Sequence, residues 1–397
     1  MTGIALLAWA LAVAAVSVVA IARRPRPVAR QSTAPGRLVL VRPCTGAPRW
    51  LARALRTMPW GWPASGRVVL TVAHADDPAR PITRAAAAAL RRRGVDAHAI
   101  VVTEPGCNRK VAQLVGALAS HGSDRDVLLV ADADVDLASL DLVALWGSLT
   151  SDVAVCWAPP VELDARTLAD HASRAVLTAS LHAFPLLAGL DRELLVGKTF
   201  AVRLSALAQI GGLAPLTDYL GEDAELARRL RQAGHRIACA PAPVRSFSGD
   251  RDGSEVFDRY VRWALVLRAQ RTPRMAAYPV LFAATPLVVA GTLASGISIW
   301  TNAAACAIAV ASRLAVAVVA TRRCGREPGL GGALVDMLLA DGLLLVAFAR
   351  ACVVRRVRWR DRELRLGPHG RLQPTAAAAQ HEAGDRVERT GEYALDD

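Results

Sequence analysis

DVLLVADADVDL, residues 126–137, is the stretch on which the reading of this chain turns. Val127 to Val130 form a short apolar run of strand length, far too short for a membrane span. Asp132 and Asp134 follow it with only Ala133 between them. In an open α/β sheet ligands gather outside the carboxyl ends of the strands, which is where these acids stand. Residues two apart in extended backbone face the same way, so both carboxylates are placed to reach one divalent cation, Mg2+ or Mn2+. Such a hard cation takes oxygen ligands and neutralises charge on a pyrophosphate group. The bland alternative is a strand-end turn that merely favours aspartate.

Working outward, the same kind of segment recurs. RLVLV (37–41), RVVLTVA (67–73) and AHAIVV (97–102) are β-branched runs, separated by the helical patterns ITRAAAAALRRRG (82–94) and RKVAQLVGALASHG (109–122). Strands alternating with helices predict an α/β domain with a mostly parallel sheet covered on both faces. The pattern holds from Arg37 to about Gly253.

Beyond those limits the composition changes. A hydrophobic content of 53% is high for a purely soluble chain. Residues 4–22 are almost unbrokenly apolar, about the length that spans a bilayer. Arg23, Arg24 and Arg26 follow it and no basic residue precedes it. That order predicts a retained anchor, residues 1–22, with its C-terminal end in the cytoplasm. Residues 23–36 read as a linker. Residues 278–300 and 302–320 read as a membrane hairpin returning to the cytoplasm at Arg322, Arg323 and Arg326. Arg313, inside the second arm, is expected to snorkel to the interface, with contact to a polar substrate as the alternative. A third apolar segment, 334–354, carries Asp336, Asp341 and Arg350 and reads as re-entrant or interfacial. The remainder, 355–397, is expected to be a cytoplasmic tail, disordered from about 371. The net charge of +13 is almost all arginine, 46 of the 48 basic residues, and it flanks apolar stretches. It therefore points to an anionic membrane surface rather than to a nucleic acid polymer. Seven scattered cysteines with no CxxC pair fit a reduced compartment.

Two further acidic sites and one basic one punctuate the α/β region. HADDPARP places Asp76 and Asp77 just after the strand at 67–73. YLGEDAELARRLRQAG opens an amphipathic helix with Glu222 and Asp223, where acids also complement the helix dipole. An aspartate there could accept the proton of an attacking hydroxyl. In FDRYVRWALVLRAQ, residues 257–270, Arg259, Arg262 and Trp263 are spaced to share one helix face. That face reads either as a membrane-interface helix, residues 254–275, or as a clamp for a phosphorylated substrate.

Taken together, the order DDPA, NRKVAQL, DAD, GKTFAVR, GED and RYVRW, between an N-terminal anchor and C-terminal apolar segments, resembles the ceramide glucosyltransferase family. That family consists of inverting, GT-A-fold glycosyltransferases, and its bacterial relatives include hopanoid-modifying sugar transferases. The resemblance covers about residues 37–275, with a weaker echo in WRDRELRL, residues 359–366. It implies a GT-A catalytic domain over 37–253. Asp77, with Asp76 beside it, would contact the uridine part of a UDP-sugar donor. Asp132 and Asp134 would lie at the diphosphate and its metal, and Asp223 would be the catalytic base. Arg259, Arg262 and Trp263 would hold the diphosphate, and Lys110 falls in a segment like the family's NPKxxNL. The activity implied is transfer of a hexose to the hydroxyl of a ceramide-like or hopanoid membrane lipid. The enzyme would be a multi-pass inner-membrane protein with its catalytic domain in the cytoplasm. A processive polysaccharide synthase shares these landmarks but needs more spans for a channel. A non-catalytic membrane scaffold would be expected to have lost the acidic sites.

Overall fold

The computed structural model describes residues 2–24 and 36–374, except 124, 163, 250, 271, 283–285, 287–289, 292, 294–298, 328, 355, 360 and 361. Most of the linker read at 23–36 lies outside the described residues. The expected α/β architecture is present. Strands β1 (Leu38–Cys44), β2 (Arg67–Val72), β3 (Asp96–Val101), β4 (Val127–Ala131), β5 (Val153–Trp157), β7 (Thr199–Arg203) and β8 (Arg236–Cys239) form one sheet in the order β3-β2-β1-β4-β7-β5-β8. A two-stranded sheet pairs β6 (Pro160–Glu162) with β9 (Val244–Ser246). β1 to β4 run parallel, and β7 is antiparallel to both β4 and β5.

The four strands named from sequence are the parallel half of the sheet, and their apolar runs explain why. Strands buried on both faces need no alternation of apolar and polar residues. Leu38 and Leu40 face one core, shared with Ala86 and Leu90 of the helix Ala79–Arg92. Val39 and Val41 face the other, shared with Val111 and Leu114 of the helix Arg109–His121 and Leu226 and Leu230 of the helix Glu222–Gln232. β1, β2 and β3 end in register at Cys44, Val72 and Val101, and the loops carrying Asp77 and Asp132 follow β2 and β4.

Three helices among the described residues are long and apolar enough to cross a membrane: Gly3–Ala22, Ile299–Arg323 and Leu330–Val353. The first two lie side by side over small residues, with Ala10, Ala305 and Ala309 fully buried. Small side chains let helix backbones approach closely. The Arg323 guanidinium donates to the carbonyl oxygens of Ala20, Ile21 and Arg23, so the two arginine-rich ends share one side.

Four expectations need correction or restriction. Arg313 does not snorkel. It is 0% exposed, and its Nε and Nη2 reach the two carboxylate oxygens of Asp341. A buried guanidinium is costly unless paired, and the neighbouring helix supplies the partner. The segment read as re-entrant or interfacial is the unbroken helix Leu330–Val353, with Asp336 and Asp341 turned inward. Asp336 meets Arg326 at 3.3 Å and Arg174 at 3.7 Å. The expected first arm of the hairpin, 278–300, falls largely outside the described residues. The expectation of disorder from about 371 does not hold for 371–374: β10 (Arg356–Trp359), β11 (Arg362–Leu366) and β12 (Leu372–Pro374) form a three-stranded antiparallel sheet, and 375–397 lie outside the described residues.

Candidate active site

The chain turns immediately after β4, and the turn is held from below by a residue that sequence reasoning missed. Arg42 interrupts the apolar run of β1 and is fully buried. Its Nη2 donates to the carbonyl oxygens of Asp132, Ala133 and Val135 at 3.1, 3.0 and 2.7 Å, and its Nη1 to Ala54 at 2.8 Å. Burial lowers its pKa to about 10, so it remains charged at neutral pH. The visible signal was a charge in the middle of an otherwise apolar strand.

Each aspartate of the turn takes one of the chain's two lysines. Lys110 Nζ lies 2.8 Å from Asp132 Oδ1, and Lys198 Nζ lies 2.7 Å from Asp134 Oδ2. The Asp132 N–H donates to the carbonyl of Lys198 at 2.9 Å, which draws the GKTF segment of β7 against the turn. Lys110 also donates to the Gly197 carbonyl at 2.7 Å and stands 3.5 Å from Glu222 Oε1. Burial alone would depress the ammonium pKa, but Asp132 and Glu222 outweigh it and hold the Lys110 pKa above its usual range.

The third acidic site closes the ring. Gly221 caps the helix Glu222–Gln232, and Asp223 Oδ2 accepts the Gly197 N–H at 2.9 Å while Oδ1 accepts that of Ala224 at 2.8 Å. A Cβ on Gly197 would lie 3.1 Å from Asp223 Cβ, so the absence of a side chain lets the carboxylate approach the backbone. Glu222 accepts from Asn108 Nδ2 at 3.2 Å. Burial pushes the Glu222 carboxyl up to about 7, with the Asp223 charge adding to the rise and Lys110 opposing it. Asp223 is also raised by burial, against the pull of the Gly197 N–H and Lys110. Asp132, Asp134, Lys110, Lys198, Glu222 and Asp223 therefore form one connected cluster.

A cation fits one corner of it. Asp134 Oδ1 is buried and has no hydrogen-bond partner, and Asp132 stands on the same turn. Among the described residues no group of three or more His, Cys, Asp or Glu side chains could hold a metal. The remaining oxygen ligands would have to come from a diphosphate.

The other predicted residues are placed differently from one another. Asp77 Oδ1 accepts from the N–H groups of Gly46 and Ala79, both at 2.8 Å, and so ties the loop after β1 to the helix Ala79–Arg92. Asp76 is exposed. An open cleft of about 500 Å³ lies along the continuation of that loop, lined by Ala47, Pro48, Arg49, Trp50 and Gly249.

In the helix Gly253–Gln270, Arg259 lies over the Trp263 ring at 5.0 Å and binds Glu162 Oε1 through Nη1 at 2.6 Å. Glu162 is 1% exposed. It also takes Arg251 through both oxygens at 2.9 and 2.7 Å and the Ser173 hydroxyl at 2.8 Å. These arginines hold its carboxyl far below the ordinary range despite its burial. Arg262 takes a different partner from Arg259. Its Nη1 is 3.5 Å from the carbonyl oxygen of Arg358 in β10. The shared helix face thus carries two guanidinium groups with different partners, Glu162 for Arg259 and the β10 backbone for Arg262. Trp263 packs edge-on against Tyr260 and Phe184 at 5.0 and 5.8 Å. Glu162 was missed by sequence reasoning, its only mark being an acid at the end of the short strand PVE.

Comparison with known proteins identifies the family. The family model described as "Glycosyl transferase family 21" matches residues 2–372. No curated protein matches the chain. Among solved structures, the chain is similar to the mannosyltransferase PcManGT from Pyrobaculum calidifontis in complex with GDP-Man and Mn2+. That match has 15% identity, covers 88% of this chain and 99% of that one, and has a TM-score of 0.48. It is also similar to S. aureus TarS 1-349, at 11% identity, covering 84% of this chain and 98% of that one, with a TM-score of 0.37. A third is glucosyl-3-phosphoglycerate synthase from Mycobacterium tuberculosis with Mn2+, UDP and glucosyl-3-phosphoglycerate, at 16% identity, covering 59% and 79%, with a TM-score of 0.35. With a family match across nearly the whole chain, this protein belongs to glycosyl transferase family 21 and is a glycosyltransferase built on an α/β domain.

Proposed function

We propose that the protein is a membrane-bound inverting hexosyltransferase that moves a sugar from a UDP-sugar to a hydroxyl of a ceramide-like or hopanoid membrane lipid. One observation carries the reading: Lys110 bridges Asp132 at 2.8 Å and Glu222 at 3.5 Å, which brings the donor-side turn and the Glu222–Asp223 pair into a single cluster. The three long apolar helices support an acceptor that stays in the membrane.

Asp223 is the general base. Its oxygens retain lone pairs beyond the two backbone donors, enough to accept a hydroxyl proton. As that proton moves to the carboxylate, the acceptor oxygen bonds to the anomeric carbon. The bond from that carbon to the diphosphate breaks on the opposite face, so the configuration inverts and UDP leaves. Lys110, Arg259 and Arg262 supply positive charge, and arginine's planar fork suits a diphosphate. Trp263 closes the site against the lipid boundary. Asp77, with Asp76 beside it, lines the nucleoside end next to the loop after β1. A divalent cation held by Asp132 and Asp134 would neutralise charge on the departing phosphates.

Purified protein incubated with a labelled UDP-hexose and a panel of ceramide and hopanoid acceptors should yield a singly glycosylated lipid with inverted configuration. A long polymer would instead identify a processive synthase. Absence of both transfer and donor hydrolysis would leave a non-catalytic scaffold.

The pH dependence follows from the buried carboxylate pair. The base works only when ionised, so kcat/KM falls as pH drops through the pair's titration. Because burial raises both groups, the acid limb should lie above the ordinary carboxylate range. An exposed carboxylate would place it near 4. Glu222→Gln removes a like charge beside Asp223 and should move the limb to lower pH. Profiles of kcat/KM for both proteins across about pH 5 to 9 check this.

A further inference from the structure

The Glu222–Asp223 pair sits at the end of a short segment, Thr217–Gly221, that is held from two sides. One side is the start of the Lys110 helix. The Asn108 N–H donates to the Thr217 carbonyl at 2.7 Å, the Cys107 N–H to Asp218 Oδ1 at 3.0 Å, and Asn108 Nδ2 to the Tyr219 carbonyl at 3.0 Å. The other side is the C-terminal sheet, more than 140 residues further along the chain in sequence. The Leu372 N–H donates to the Asp218 carbonyl at 2.7 Å and the Leu220 N–H to the Gly370 carbonyl at 3.0 Å, with Arg371 paired antiparallel to Tyr219 between them. Residues 370–372 thus add a strand to 218–220.

Side chains reinforce the backbone pairing. The Arg371 guanidinium lies 5.5 Å from the Tyr219 ring centroid, and its Nε donates to the Tyr219 hydroxyl at 3.3 Å. Leu372 is buried in a cluster with Leu220, Val357 and Leu364. Gln270, at the end of the helix carrying Arg259 and Trp263, donates through Nε2 to the Gly221 carbonyl at 3.2 Å. A Cβ on Gly221 would meet Val266 Cγ1 at 2.4 Å, so that helix packs directly on the backbone in front of Glu222. The family match also runs through this strand, to residue 372.

We infer that residues 367–374 are a positioning strap for the active site: they fix the 218–221 backbone so that Asp223 meets the acceptor hydroxyl in line with the donor. The strap touches neither substrate. Its effect is on the placement of the base, where a shift of about 1 Å costs on the order of a hundredfold in rate. The inference rests on the assignment of Asp223 as base.

Leu372→Pro tests it, since proline deletes the N–H that donates to Asp218 while keeping an apolar side chain. Leu372→Val keeps the N–H and serves as the conservative control. A chain ended after Leu366 removes the strap, and one ended after Pro374 keeps it. All are compared as full membrane proteins for transfer kcat, UDP binding by titration, and melting temperature. Leu372→Pro and the Leu366 truncation should lower kcat at least about tenfold, with UDP affinity within about threefold of the parent. Leu372→Val and the Pro374 truncation should turn over like the parent. Unchanged kcat in Leu372→Pro overturns the strap, as does a joint fall of kcat, UDP affinity and melting temperature, which would mark general unfolding. A parent protein that neither binds UDP nor transfers sugar overturns the functional reading, and the strap with it.

Discussion

Asp223→Asn should lower kcat for sugar transfer by about 10²–10⁴-fold, the usual contribution of a positioned general base. UDP binding should be nearly unchanged, because the donor-side contacts do not pass through this side chain. The fold should tolerate the change. Burial raises the Asp223 pKa, so the folded protein disfavours its charged form, and at neutral pH that charge subtracts from stability. A neutral amide relieves this and keeps one oxygen for the Gly197 or Ala224 N–H. The melting temperature should therefore hold or rise while activity disappears. Transfer kinetics and thermal melts on the same preparation check both halves. Retained turnover would refute the base assignment, whereas lost activity with a lower melting temperature would point to a structural role.

Lys110→Met should cost both activity and stability. The ammonium is the positive charge common to Asp132 and Glu222, and on the proposed reading a preorganised charge of this kind is worth about 10²–10³ in rate. Its pKa is raised in the folded state, so its stabilisation is fully present at neutral pH and fades only as pH climbs past the ordinary lysine range. Removing it leaves Asp132 and Glu222 facing each other without a cation. Breaking a fully buried pair costs about 3–5 kcal/mol, and the partial exposure of Asp132 should reduce this to about 1–3 kcal/mol. The deficit should narrow as pH falls and Glu222 takes a proton. Denaturation at neutral and mildly acidic pH, set beside kcat/KM, measures both effects. A stability loss without a catalytic one would reduce Lys110 to a structural ion pair.

Much of this site was legible in the primary string because its residues sit at element boundaries. Asp132 follows an apolar run of strand length, and Glu222 and Asp223 open an amphipathic helix. Those local patterns identified them without knowledge of what they face. Arg42 and Glu162 were not legible. Each is a charge within a strand, and its purpose lies in partners such as the carbonyl oxygens of the 132–135 turn or the guanidinium of Arg259. Arg313 was read as a snorkelling charge because its partner, Asp341, lies on a different helix, and no spacing rule links the two.

The sequence by itself determined the alternation of strands and helices, the apolar spans, and the types of residue available for sugar transfer. Those follow from hydrophobic period and local backbone preference, which act over a few neighbours. Only the tertiary structure decided which charges pair. It gave Lys110 to Asp132 and Glu222, set Arg262 against the backbone of β10, and folded the C-terminal strand back onto Tyr219. Pairings of this kind depend on distances across the sheet between residues far apart in the chain, and close packing, not sequence spacing, sets those distances.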